Sequence, residues 1–181
     1  MTANSPKPTV GTAWLDGCSG CHMSLLDIDE AIIDLAGKVT FVCSPIADIK
    51  EMPPGTTVGI VEGAVSSEED LHKIRRIRER CQVLIALGDC AVTSNVPGMR
   101  NAVPVRELFQ RAYHENAQHG QQDPKVNIPA LLPKARPLHE IVKVDVFVPG
   151  CPPPAQAIAY TIGELLAGRV PNPISLTRFG K

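Results

Sequence analysis

"TTVGIVEGAVSSEEDLHKIRRIRERCQVLIALGDC", residues Thr56–Cys90, reads as a strand, a helix and a second strand in succession. "TTVGIV" (Thr56–Val61) is short and β-branched, which suits a strand. In "SSEEDLHKIRRIRERC" (Ser66–Cys81) either serine can cap a helix, with acids in the first turn and bases in the last, as the helix dipole favours. "QVLIALG" (Gln82–Gly88) is apolar almost throughout and reads as a buried strand.

The flanks repeat the alternation. Upstream, "TVGTAWL" (Thr9–Leu15) is a strand ending in the turn "DGCSGC". "SLLDIDEAIIDLAG" (Ser24–Gly37) has helical apolar spacing, with Ser24 as N-cap and Gly37 as stop, and "KVTFVC" (Lys38–Cys43) is a strand. Downstream, "VDVFVPG" (Val144–Gly150) is the last strand and "PPAQAIAYTIGELLAG" (Pro153–Gly168) the last helix, with proline near its start and glycine at its end. This pattern predicts an α/β fold: a mostly parallel sheet of four or five strands with helices on both faces. Between about residues 97 and 142 the alternation weakens into a proline-rich stretch with one short helix, "VRELFQRAYHE". Its length predicts a surface excursion with a binding role. The 181 residues suit a single domain, 1–181.

A net charge of −1 argues against a nucleic-acid binder and leaves no strong repulsion to oppose a partner protein. "MTANSPKPTV" has neither the basic and apolar succession of an export signal nor a twin-arginine pair. Uninterrupted apolar runs such as "VLIAL" are far too short to span a membrane. The expectation is a cytoplasmic protein without a membrane span. In that compartment six cysteines suit metal ligands, reactive thiols or core positions better than disulfides.

In open α/β sheets, sites form beyond the carboxyl ends of the strands. Cys18 and Cys21 follow the first strand, Cys90 follows "QVLIALGD", and Cys151 follows "VDVFVPG", so all four are expected at one edge. Cys81 precedes its strand and is expected at the opposite edge as a structural thiol. Cys43 also ends a strand, but "FVCSP" lacks the glycine found in "DGCSGC", "LGDC" and "PGCPP", and it reads as a core thiol. Glycine beside a ligand lets the backbone approach an inorganic core closely. Four thiolates suit either a structural zinc or a [4Fe–4S] cluster. One close pair with two distant single cysteines, and proline after Cys151, favour iron over a zinc ribbon. A thioredoxin-like dithiol at Cys18 and Cys21 would leave Cys90 and Cys151 without a role.

With these motifs in view, "WLDGCSGCHMSLLD", "SPIADIKEMP", "GIVEGAVSSEED", "LIALGDCA" and "VPGCPPPAQAI" together resemble the small subunit of nickel–iron hydrogenases, most closely the short form of cytoplasmic NAD-reducing hydrogenases. The resemblance implies a flavodoxin-like domain whose Cys18, Cys21, Cys90 and Cys151 hold one proximal [4Fe–4S] cluster, with Gly63 lining its pocket. It implies a hydrogenase large subunit carrying the Ni–Fe centre, and diaphorase-type partners carrying FMN, further Fe–S clusters and the NAD site. The chain closes on "GRVPNPISLTRFGK", without the further clusters and export signal of periplasmic relatives. The homologous cluster subunit of respiratory complex I shares the "VPGCPP" loop but has adjacent cysteines where this chain has "CSGC", which ranks hydrogenase above a complex I-like or membrane-bound hydrogenase assembly. A zinc-stabilised binding module is the alternative from another class. No phosphate-cradling T-x-T-G-N run occurs, so no flavin is assigned to this chain.

Several neighbours carry two readings. Glu62 either orients a loop or accepts a proton at the centre, or caps a turn. The Thr93 and Ser94 hydroxyls either reach a cluster sulfur or start a helix. His22 either donates a hydrogen bond or packs at an interface, or is neutral core. Trp14 is expected beneath the centre or at an interface, Met23, Leu25 and Leu26 in the helix core, and "KIRRIRER" on a solvated face.

Overall fold

The computed structural model describes residues 6–177, so the readings of the amino-terminal segment and of "GRVPNPISLTRFGK" fall partly outside the described residues. In chain order the first half contains β1 (Thr9–Trp14), α1 (Gly20–Leu26), α2 (Ala31–Lys38), β2 (Thr40–Cys43), β3 (Thr56–Glu62), β4 (Val65–Ser67), α3 (Glu68–Arg80) and β5 (Cys81–Leu87). The second half contains α4 (Gly88–Thr93), α5 (Asn95–Gly98), α6 (Val105–Phe109), β6 (Leu131–Arg136), β7 (Val146–Val148) and α7 (Ala155–Leu166). The main sheet has five parallel strands in the order β2-β1-β3-β5-β7. Counting main-sheet strands alone, this is the 2-1-3-4-5 order of flavodoxin-like folds.

Alternating side chains build a core on each face of the sheet. On one face Val61, Leu84 and Ala86 pack against Ile74 and Ile77 of α3. On the other, Val58, Ile60, Ile85 and Leu87 pack against Leu25 of α1 and Ala157, Ile158 and Ile162 of α7. Ile60, Ile74, Leu84 and Ile85 have at most 1% of their surface exposed. Each such side chain contributes roughly 1.5–3 kcal/mol. Helix α3 is fixed at its start by a reciprocal capping box: the Asp70 N–H donates to Ser67 Oγ, while the Asp70 carboxylate accepts from the Ser67 N–H. Its basic run is not simply solvated. Arg76 pairs with Glu51, Arg78 with Asp145, and Arg80 donates to the Met52 carbonyl.

Two regions differ from the sequence reading. The helix expected over 24–37 is two helices, broken where Asp29 adopts φ +60°. Ser24 does not cap a helix. It lies inside α1, with its hydroxyl donated to the Pro153 carbonyl at 2.5 Å, a tertiary bond that outcompetes local capping. Helix α2 continues past Gly37 to Lys38 and buries none of its residues. Within the stretch at 97–142, α6 continues into a wider π-turn at Gln110–Glu115, and β6 pairs antiparallel with β4. Among the described residues no helix is long and apolar enough to cross a membrane.

Candidate metal centre

The carboxyl ends of β1, β3, β5 and β7 share one rim, and the turns after them bring distant residues together. Gly17, Cys18, Ser19, Gly20 and Cys21 follow β1, Glu62 and Gly63 lie at the end of β3, Asp89 and Cys90 follow β5, and Gly150, Cys151 and Pro152 follow β7. All of them line one cleft of about 100 Å³. The structure thus gathers Cys18, Cys21, Cys90, Cys151 and Gly63. Cys18 and Cys151 are exposed at its mouth, while Cys21 and Cys90 are half-buried. Cys43 and Cys81 lie elsewhere, in the core with Met52, Ile74 and Leu84. Burial raises the pKa of both thiols.

Backbone geometry holds the rim. Gly63 has φ +89°, and a Cβ there would lie 2.8 Å from the Leu15 carbonyl carbon and 2.9 Å from Asp16 O, so glycine alone lets β1 and β3 end side by side. Gly88 has φ +82°, and a Cβ there would overlap the Cys21 sulfur. The Asp89 N–H donates to Gly150 O at 2.8 Å, and Asp89 Oδ1 accepts the Gly150 N–H at 2.7 Å. That two-way bridge ties the Cys90 turn to the Cys151 turn. Glu62, 2% exposed, accepts the His22 N–H through Oε2 at 3.0 Å and so anchors the start of α1 beside Cys21.

Electrostatics suit a cation in the cleft. Burial pushes the Cys21 thiol well above the ordinary thiol range, and the Glu62 charge adds to the effect. Burial likewise pushes Cys90 up to about 11, against a hydrogen bond from the Val96 N–H. Bare thiolates are disfavoured at both positions, and a bound cation removes that penalty. Among the described residues, no three Cys, His, Asp or Glu side chains converge on the position of a single ion. The four thiols line one cleft with Gly17, Gly20, Gly63 and Gly150, a donor set of the kind that holds an iron–sulfur core or a zinc ion. The glycines that leave that cleft open complete the fit.

The family model described as "NADH ubiquinone oxidoreductase, 20 Kd subunit" matches residues 18–165. The chain belongs to this family. Within the 20 kDa-subunit family, the similar proteins are hydrogenase subunits, hence parts of oxidoreductases. The delta subunit of the NAD-reducing hydrogenase HoxS of Cupriavidus necator is 40% identical over 179 residues, covering 96% of this chain and 86% of that protein. A chain in a crystal structure of an NAD+-reducing [NiFe]-hydrogenase in the H2-reduced state matches with a TM-score of 0.90 at 36% identity, over 96% of this chain and 99% of that one. A component of the vhu F420-non-reducing hydrogenase of Methanocaldococcus jannaschii is 39% identical over 90% of this chain, which spans only 57% of that longer relative. A [NiFeSe]-hydrogenase of Dm. baculatum, at a TM-score of 0.58 and 18% identity, shares the fold. The family description is that of the complex I subunit, yet these relatives place the chain with the hydrogenase small subunits.

Against this family background, the remaining residues divide. Glu62 accepts the His22 N–H in the first turn of α1, a contact that caps that helix and orients the turn carrying Cys21. His22 is 3% exposed, with Nδ1 3.3 Å from Glu62 Oε1 but not aligned for a hydrogen bond, and its ring meets Trp14 edge-on at 5.5 Å between centroids. The Thr93 hydroxyl is committed to the Asp89 carbonyl at 2.9 Å. Leu25 is core, whereas Met23 is 58% and Leu26 37% exposed, because α1 turns that face away from the sheet. The glycine of "LGDC" is Gly88, expected from the sequence to let the backbone approach closely; sequence reasoning missed Asp89 and Asn95, whose carboxamide lies 3.4 Å from the Cys151 sulfur. Adjacency to Cys90 was the one signal available for Asp89.

Proposed function

We propose that this chain is the electron-transfer small subunit of a cytoplasmic, NAD-reducing nickel–iron hydrogenase, folded as one domain. Cys18, Cys21, Cys90 and Cys151 hold a proximal [4Fe–4S] cluster, with Gly63 and Gly88 keeping the backbone clear of it. The observation that carries this reading is the meeting of four thiols from three strand ends around one glycine-lined cleft. When bound, such a cluster supplies a one-electron redox centre whose potential depends on burial and on hydrogen bonds to its sulfurs.

The chain's own residues position rather than react. The Asp89–Gly150 bridge fixes the spacing of Cys90 and Cys151, and Glu62 holds the turn that presents Cys21. Hydrogen splitting belongs to a large subunit with the Ni–Fe centre, and NAD chemistry to diaphorase-type partners with FMN and further Fe–S clusters. The similarity to the NAD-reducing subunit and to the NAD+-reducing enzyme structure supports both assignments.

Anaerobic purification tests the reading. About four irons and four acid-labile sulfides per chain are expected, with a nickel-containing large subunit and a flavoprotein copurifying. One zinc in a colourless sample would overturn the cluster assignment. Copurification with quinone-reducing or membrane subunits instead would overturn the choice of partners.

A further inference from the structure

We propose that Asn95 is a positioning residue for the centre: its carboxamide donates to the Cys151 sulfur and raises the potential at which the centre accepts an electron. The inference rests on the cluster reading above.

Helix α4 ends in an uncommon way. Ser94 has φ +67° and Asn95 φ +24°, two consecutive non-glycine residues on the positive side. Such backbone is costly and persists where surrounding contacts over-determine it. Here the Ser94 N–H donates to Cys90 O at 3.0 Å, and the Gly98 N–H to Ser94 O at 2.9 Å, so the turn is pinned on both sides. Its product is a carboxamide aimed at a sulfur. Asn95 Nδ2 lies 3.4 Å from Cys151 Sγ, within reach of a large sulfur acceptor. Ser94 and Asn95 therefore link the backbone of Cys90, after β5, to the thiol of Cys151, after β7. The Thr93 hydroxyl does not compete, since it is held by Asp89 O.

The chemistry follows from charge. One-electron reduction adds negative charge that is shared with the ligand sulfurs. A donor to one of them stabilises the reduced form more than the oxidised form, so removing the donor lowers the potential. A merely structural tether would alter cluster retention or thermal stability and leave the potential of a fully loaded protein in place.

The full chain, purified anaerobically with its cluster, is titrated potentiometrically by electron paramagnetic resonance as wild type, Asn95→Asp and Asn95→Gly. Asn95→Asp keeps the shape and loses the donor, while Asn95→Gly relieves the backbone and loses the donor without adding charge. Both variants are expected to keep wild-type iron and sulfide and to be about tenfold harder to reduce, which is 59 mV for a one-electron couple. A wild-type midpoint in fully loaded Asn95→Gly overturns the proposal, as does loss of iron and sulfide from that variant. Absence of iron and sulfide from the wild type would instead overturn the proposed function itself.

Discussion

At Gly88 the backbone turns with φ +82°, and the volume a side chain would need belongs to the Cys21 sulfur. Gly88→Ala is therefore expected to displace Cys21, to cost about 1–3 kcal/mol for the backbone strain, and to cut iron content sharply; thermal unfolding and iron analysis check both effects. Cys81 gives the opposite expectation. It is 7% exposed in the core, away from the cleft, so Cys81→Ser should leave iron content unchanged and cost about 1–3 kcal/mol for a buried hydroxyl. Iron loss in that variant would contradict the placement of the centre. The four cleft cysteines were legible because position relative to a strand end is a local property. Asp89 and Asn95 were not, because their partners Gly150 and Cys151 lie 61 and 56 residues away.

Among the elements, α3 was the most legible, since its cap, first-turn acids and last-turn bases are all written within 15 residues of chain. Ser67→Ala is expected to lower stability by about 1 kcal/mol, measured by urea unfolding. The approach to β7 carries a pH dependence. Asp145 is partly buried, which by itself would raise its pKa, but the Leu84 N–H at 2.8 Å and the Arg78 guanidinium outweigh burial and hold it below its ordinary 3.8. A depressed carboxyl pKa adds stability that is fully present above the unfolded-state value and is lost as pH falls through the folded one. Wild type should therefore exceed Asp145→Asn in stability at neutral pH, and the gap should narrow as pH falls below about 4; a gap that does not shrink in acid would contradict the assignment. Strand β6 was illegible. Its "LLPKAR" holds a proline and two bases, and its pairing with β4, Val65 with Arg136 and Ser67 with Leu131, exists only because the chain returns from far along the sequence. The split of the 24–37 helix was hidden for a related reason: its apolar spacing continues through a break set by the positive φ of Asp29 and by the seating of Ser24 on Pro153.

At the scale of the whole molecule, β3 and β5 lie inside the sheet with covered faces, whereas β2 is an edge strand and α2 buries none of its residues. Amide hydrogen exchange should be slowest in β3 and β5 and fast in α2, β2 and the stretch around 110–128. Equal protection of α2 and β5 in the isolated chain would contradict this. The sequence by itself determined the strand–helix alternation, and hence the parallel sheet, because side-chain periodicity and helix capping act over a few residues. It also determined which cysteines leave the carboxyl ends of strands. Tertiary structure alone decided how the rim is held: the Asp89–Gly150 bridge, the Glu62 anchor on α1, the seat of Cys21 against Gly88 and the reach of Asn95 to Cys151. These depend on strand order and register, which bring together residues tens of positions apart, and no local pattern encodes such distances.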